Sequence, residues 1–375
     1  MLDGAQTPNL PLSGLKVLDA TSNIAGPFSG AVLADLGAEV IKIETPTGDP
    51  ARAMYPIDGD RSAYFHVVNR NKTSISINLK SKEGQEKLGS MLDNCDVFLT
   101  NFLPERLQAL NLNSKEILSR HPRLIIGNLF SYGSNGPDAA YPGYDATVQA
   151  RTGIMHVTGE PDGSPVRAGV SVLDMGGGMW LAIGILAALV QRNRTGKGGL
   201  IETSLYETGA FWVSYHLSAN QLTGNESVRS GAGHPAFSPY GLFTTASGML
   251  CLGVGSDNIF SKLCIVLNRK ELIDDPRFIT NSDRVTNAAI LKAEIEKTLM
   301  VKNAAQWAHL FSSSGIPAER VALPEDLLDD SQAQAMDIMQ IYPDATTKLK
   351  KIPGLPIRFD GQRPSIRFSA PHLEA

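Results

Sequence analysis

Between residues 15 and 135, short apolar runs alternate with helix-forming stretches, and this alternation constrains the fold more tightly than any other feature of the chain. Residues 15–20 (LKVLDA) are followed by the Gly26-Pro27 punctuation and a helix-forming stretch, 28–36. Next comes 39–44 (EVIKIE), whose apolar residues recur with period two. The pattern continues through 73–79 (TSISINL), a helical 82–94, 96–100 (DVFLT), a helical 114–120 and 123–130 (RLIIGNLF). Strands and helices in this order predict an α/β fold with a parallel sheet covered on both faces. The Leu-, Ala- and Ile-rich stretch 174–192 reads as a helix packed on that sheet.

The texture changes further on. After a strand-like 202–205 and a helical stretch to about Leu222 comes a Gly/Ser/Pro-rich region, 224–239, read as a linker or an active-site loop. A hairpin is expected from 240–245 with 249–254, and several helices between Asn258 and Phe311. This antiparallel and helical part reads as a separate smaller domain. The Pro/Arg-rich 351–375 has little periodicity and is expected to return to the first domain. The expected layout is a large domain over 1–222, a small one over 223–325, and a linker with the return over 326–375. A chain of 375 residues has room for two cores.

Composition narrows the function mainly by exclusion. A net charge of -4 and a pI near 6.0 give no reason to expect a nucleic acid or an anionic membrane as the main partner. Cys95, Cys251 and Cys264 are far apart and form neither a CxxC pair nor a zinc spacing, so no metal site is expected. Residues 1–11 lack the basic and apolar regions of a secretory signal. The longest apolar run, 179–190, falls short of the roughly 20 residues a bilayer span needs. A cytoplasmic protein is expected. There is no P-loop, HExxH, EF-hand loop or GxSxG elbow, and the glycines after the first strand do not make GxGxxG.

Four segments could carry chemistry. In 169–178 (GVSVLDMGGG), Asp174 sits where an irregular stretch becomes a helix. Asp is a favoured N-cap, which accounts for it without any chemistry. The three glycines behind it are poor cap neighbours, because Gly costs about 1 kcal/mol against Ala inside a helix. Close approach of a ligand to the backbone would explain them, and a carboxylate can act as a covalent nucleophile. The second segment, 22–27 (SNIAGP), follows the first strand, where ligands of open α/β sheets bind, and is otherwise a plain Gly-Pro turn. In the third, 69–80, Arg70, Lys72 and Lys80 either meet phosphates or form a solvated basic turn. The fourth is His234-Pro235, a lone histidine of the kind that is more often structural.

Taken in order, the segments resemble the class III CoA-transferase family, which includes formyl-CoA transferase and the carnitine CoA-transferases. The likeness runs over nearly the whole chain. It is carried by GLKVLDATSNIAGPFSGAVLADLGAEVIKIE (14–44), NRNKTSISINLK (69–80), DVFLTNFLPERL (96–107), YPGYDATVQARTG (141–153), Asp174 with its helix, TGKGGLIETSLYE (195–207) and HPAFSPYGLF (234–243). The resemblance implies a Rossmann-like large domain built from both chain ends, a smaller α+β domain and an interlocked homodimer. CoA is then expected mainly on the large domain, with the active site near the small-domain loop of the partner. By position, Asp174 is the nucleophile, and Asn23, Ile24, Ala25, Ile77, Lys80, Asn101, Phe102 and Tyr132 line the CoA site. Arg106, offset from the matching stretch, is added to them. No tightly bound cofactor is implied; acyl-CoA is the donor substrate and a carboxylic acid the acceptor.

The implied reaction runs through an aspartyl–acyl anhydride and an aspartyl-CoA thioester. A carboxylate is ordinarily ionised at pH 7 and needs no external base. The glycines at 176–178 and the 231–233 loop are the expected N–H donors to the oxyanions, with the loop as a lid. The racemases of 2-methylacyl-CoA resemble the chain too, but use a His in a GHD segment that here reads Gly143-Tyr144-Asp145. A phenol, which ordinarily titrates near pH 10, is a poor general base at neutral pH. A catalytically dead CoA-binding protein is a further alternative, against which Asp174 stands. Formyl-CoA transferases carry Gln where this chain has Ile24, which leaves formyl-CoA and oxalate open as substrates but not favoured. Many relatives have a longer C-terminal helical tail than the stretch after Pro371-His372, and a different dimer edge is expected from that.

Overall fold

The computed structural model describes residues 10–373; the first nine residues, where most of the expected absence of a secretory signal rests, lie outside the described residues. The chain divides into two compact units. The first comprises the chain up to Ile154, Ala168–Ser218 and the chain from Leu328 on; the second comprises Met155–Arg167 and Ala219–Leu327.

The first unit is built on six parallel strands: β1 (Lys16–Asp19), β2 (Glu39–Glu44), β3 (Lys72–Ser76), β4 (Val97–Thr100), β5 (Ile125–Phe130) and β6 (Gly199–Ser204). Their spatial order is β3-β2-β1-β4-β5-β6. This 3-2-1-4-5-6 order is that of a doubly wound sheet, with its reversal between β1 and β4. Successive residues feed opposite faces. Val17, Val97 and Ile125 enter one core with Val32, Leu181 and Ile185. Leu18, Phe98 and Ile126 enter another with Leu88, Leu92 and Ile117. Burial on both faces is why these strands read as near-continuous apolar runs.

Helix α1 (Ala25–Asp35) follows β1, α2 (Lys82–Leu92) follows β3, α3 (Ser114–Arg120) precedes β5, and α4 (Asp145–Arg151) follows it. The long helix α5 (Val172–Thr195) comes next, then β6 and α6 (Leu205–Trp212). At 24 residues, α5 is longer than the expected 174–192 and begins two residues earlier. By length and composition alone it would cross a bilayer, but half of its apolar stretch is buried inside the protein. It ends at Gly196, which adopts the left-handed conformation (φ 73°) that favours Gly after a helix.

The contact between α5 and α1 is closer than side chains allow. A Cβ on Gly178 would lie 2.4 Å from the Ala25 carbonyl oxygen and 3.2 Å from the Ser29 nitrogen, both backbone atoms. A Cβ on Gly176 would lie 2.9 Å from Thr208 Cγ2 on α6. These glycines pay for helix–helix approach.

The second unit holds an antiparallel sheet of β7 (Tyr240–Thr244), β8 (Met249–Gly253) and β9 (Ala318–Arg320), with β8 in the middle. Helices α7 (Asp257–Val266), α8 (Ala288–Leu299) and α9 (Ala304–Ser313) contribute Phe260, Leu291, Ile295, Trp307 and Phe311 to its core. The expected hairpin and helices are all present.

Two glycine substitutions separate packing from propensity. Gly178→Ala is expected to destabilise by about 1–3 kcal/mol through overpacking. Gly89→Ala on α2, where a Cβ would meet nothing within 4 Å, is expected to stabilise by about 0.5–1 kcal/mol. Urea unfolding of the two variants checks both signs.

Candidate active site

The reversal of strand order opens a crevice beyond the carboxyl ends of β1 and β4, and the loop after β1 is locked there from three sides. The Thr21 amide donates to Asp19 Oδ1 at 3.0 Å. Asn101, just after β4, accepts from the Ser22 amide at 2.9 Å and donates back to the Ser22 carbonyl at 2.8 Å. Asn23 takes a left-handed conformation (φ 67°), one that Asn tolerates better than most residues. Its amide donates to Asp49 Oδ1 at 3.0 Å.

Beneath the loop lie two buried ion pairs, Lys42–Asp49 and Lys72–Asp19, each at 2.7 Å. Lys42 also donates to the Thr21 carbonyl at 3.0 Å, and Lys72 to the Pro27 carbonyl at 2.7 Å and to Asn69 at 2.9 Å. The expectation that Arg70 and Lys72 meet phosphates is therefore overturned. Lys72 is consumed by Asp19, and Arg70 by Asp35 at 2.6 Å, both in the interior. Of the three basic residues only Lys80 is exposed.

A cavity of about 320 Å³ is lined by Asn23, Ile24, Ala25, Asn101, Phe102 and Arg106, together with Tyr144 and Asp174. A second, of about 360 Å³, is lined by Ile77, Lys80, Phe102 and Arg106. Both have Ser22, Phe102 and Arg106 in their walls. The Arg106 guanidinium stacks over the Phe102 ring at 4.2 Å. Nine of the ten residues singled out in the sequence thus border one of the two spaces. Tyr132 borders neither; its ring packs 6.1 Å from that of Tyr206.

Asp174 is not an N-cap. Helix α5 begins at Val172 with Ser171 in the cap position, where no side-chain cap bond is made, and Asp174 is its third residue. Its terminal amides are taken by a carboxylate distant in sequence. Asp145 Oδ2 accepts from Leu173 N at 2.7 Å and Asp174 N at 3.2 Å. Gln149 donates to Asp145 Oδ1 and accepts from the Ala168 amide at 2.9 Å. Among the described residues no side chain donates a hydrogen bond to the Asp174 carboxylate. Burial, with the charge of Asp145 second, pushes Asp174 up to about 7. Its carboxyl therefore holds its proton far more readily at neutral pH than the fully ionised carboxylate expected from the sequence.

The expected N–H donors also need correction. Gly176, Gly177 and Gly178 lie inside α5, where amides bond to carbonyls four residues back. In the second unit, Gly231 N donates to Gly159 O at 3.0 Å and Gly233 N to Ser230 O at 2.8 Å, so neither amide is free. His234 accepts from the Ala236 amide at 3.1 Å and packs its ring 5.0 Å from Phe237. Among the described residues, no group of three His, Cys, Asp or Glu side chains is arranged to hold a metal ion.

Comparison with known proteins identifies the family. The family model of CoA-transferase family III matches residues 12–375. The chain is 37% identical to the acetyl-CoA:oxalate CoA-transferase of Acetobacter aceti, over 98% of this chain and 94% of the relative. It is 37% identical to the succinyl-CoA:glutarate CoA-transferase of Mus musculus, over 93% and 80%. The crystal structure of a CAIB/BAIF family protein from Brucella suis superposes with a TM-score of 0.86 at 34% identity, covering 97% of each chain. The chain belongs to CoA-transferase family III and is a CoA-transferase.

Proposed function

We propose that Asp174 is the covalent nucleophile of this transferase, and that CoA runs along the two cavities past Asn23, Ile24, Ala25, Ile77, Lys80, Asn101, Phe102 and Arg106. The observation that carries the reading is the position of Asp174, a largely buried carboxylate free of side-chain donors in the wall of a cavity. Tyr132 is left out of the proposed CoA site, since it borders neither space.

In the proposed sequence the Asp174 carboxylate attacks the donor carbonyl, the C–S bond breaks and CoA leaves as thiolate. The thiolate attacks the Asp174 carbonyl of the mixed anhydride, the C–O bond breaks, and the donor acid leaves as a carboxylate. The acceptor carboxylate then displaces thiolate from the aspartyl-CoA thioester, and the thiolate takes the acyl group from the new anhydride, restoring Asp174. Once Asp174 is ionised, none of these steps transfers a proton. The protein's task is to hold three reactants in line and keep water out. Lys80 and Arg106, both exposed, are the cations available to CoA phosphates in the two cavities.

The relatives described above are named for oxalate and glutarate. Both are dicarboxylic acids, and a dicarboxylic acid is the acceptor class proposed here. Ile24, apolar and in the cavity wall, does not favour formyl-CoA. We also propose a Rossmann-like large domain with a smaller α+β domain, a cytoplasmic location and an interlocked homodimer with no nucleic acid or membrane as partner. Exposed Met179, Ile183, Phe211, Tyr215 and Leu217 support the dimer, since a monomer rarely leaves so much apolar surface in one region. Light scattering that returned only the 40.3 kDa chain would remove the dimer.

Brief incubation with a panel of acyl-CoAs, hydroxylamine trapping and peptide mapping tests the nucleophile. An adduct on the Asp174 peptide, absent in Asp174→Ala, is expected. Exchange of an α-proton into deuterated water with no adduct from any donor would instead favour the racemase chemistry. Stability supplies an independent check. The folded carboxyl sits near 7 against an ordinary 3.8, so its contribution is fully present below about pH 4 and is lost as pH rises through 7. Asp174→Asn is expected to match the parent near pH 4 and to exceed it by about 2–4 kcal/mol at pH 8. Unfolding curves at the two pH values measure the difference.

A further inference from the structure

We propose that Asp145 is a positioning residue that makes the ionised resting state of Asp174 unfavourable and so drives the enzyme toward its covalent, uncharged intermediates. The inference rests on Asp174 as nucleophile and goes beyond it.

The first turn of a helix normally stabilises an anion, because its amides have no partner within the helix and the dipole favours negative charge. As third residue of α5, Asp174 stands where it would benefit. Asp145 removes the benefit. It takes the Leu173 and Asp174 amides at 2.7 and 3.2 Å and sets its own carboxylate at the end of the helix. It cannot swing away. Asp145 is 5% exposed, its other oxygen is held by Gln149, and Gln149 is fully buried and held in turn by the Ala168 amide.

The other charged groups on elements packed against α5 have partners of their own, and Glu202 on β6 accepts from Ser134 at 3.2 Å. On α4, Arg151 pairs with Asp138 at 2.9 Å. On α6, Glu207 accepts from Ser204 at 2.7 Å. On α1, Asp35 is paired with Arg70 at 2.6 Å. Arg106, in the cavity wall, stacks over Phe102. Stacking leaves the Arg106 cation intact, but Asp145 is the charged group bound directly to the backbone amide of Asp174. The upward shift of Asp174, with burial as the larger cause and Asp145 as the second, agrees with the geometry.

The consequence is specific to a covalent carboxylate. When Asp174 ionises in the free enzyme, its charge joins that of Asp145, whose Oδ2 already holds the Leu173 and Asp174 amides at the same helix end. Once Asp174 is an anhydride or a thioester its charge is gone and the repulsion vanishes. Asp145 thus acts on the ionised resting state alone. That raises both the basicity of the nucleophile and the equilibrium amount of aspartyl-CoA enzyme.

The test uses the full chain, the acyl-CoA that gives the strongest adduct, and Asp145→Asn, which keeps an acceptor for the helix amides but loses the charge. Two quantities are read: the acid limb of kcat/KM for the donor, and the fraction of enzyme present as aspartyl-CoA at fixed acyl-CoA and acid concentrations at pH 8. The limb is expected to move to lower pH in Asp145→Asn and stay in place in Asp145→Glu. The equilibrium constant for covalent enzyme is expected to fall about tenfold for each pH unit the limb moves. If Asp145→Asn does not fold, Asp145→Ser, an uncharged acceptor, reads the same limb. An unmoved limb with an unchanged covalent fraction overturns the role of Asp145, whatever happens to overall activity or stability. Absence of adduct in the parent chain overturns the nucleophile itself and this inference with it.

Discussion

Two ammonium groups buried beneath the carboxyl ends of the central strands set the terms for the rest of the structure. Lys42 and Lys72 have no solvent contact, and removing either one's carboxylate partner would cost about 3–5 kcal/mol. Asp19, Asp49, Asn69 and the carbonyls of Thr21 and Pro27 must all converge on them. Those few atoms fix the path of residues 20–27 and the start of α1. Gly30 is part of the same constraint, since a Cβ there would lie 2.5 Å from Asp19 Oδ2 and 3.0 Å from Lys72 Nζ. A loop held by buried charge stays in place, which suits a site that must hold an acyl carbonyl against a carboxylate.

The same economy of space brings the proposed nucleophile to that loop. Because Gly178 lets the backbone of α5 touch α1, the first turn of α5 reaches the cavity that Asn23, Ile24 and Ala25 line. Asp174 is thus placed by packing rather than by hydrogen bonds to its side chain, and no side-chain hydrogen bond has to break before it reacts. Its surroundings are poor for an anion and adequate for a neutral ester, a familiar conflict between stability and activity.

The sheet was legible in the sequence because each strand is buried on both faces, which leaves an apolar run that local composition cannot hide. Residues 39–44 and 114–120 match their elements at both ends. What local reading misses is anything decided by residues far apart. The start of α5 is capped by Asp145, 28 positions upstream of Leu173, so Asp174 looked like its own cap. Arg70 and Lys72 read equally as phosphate contacts or as a solvated basic turn, and neither holds once Asp35 and Asp19 are beside them. The glycines at 176–178 signalled close approach correctly, but the approaching groups are α1 and α6 instead of a ligand. Tyr132 followed its neighbours in the sequence while its ring turned to Tyr206. Gln149 gave no local signal at all; its importance comes from being fully buried between Asp145 and Ala168.

The start of α4 carries two adjacent side chains with opposite surroundings. Tyr144 is exposed and borders the cavity, whereas Asp145 is buried under α5. The scaffold therefore separates the residue that faces the cavity from the one that holds the helix. Exchanging the first leaves the second untouched. A histidine at 144 would border the same cavity as Asp174, with the helix end beneath it still capped. One outward position can thus be varied to change the chemistry of the cavity while the frame that supports Asp174 stays as it is.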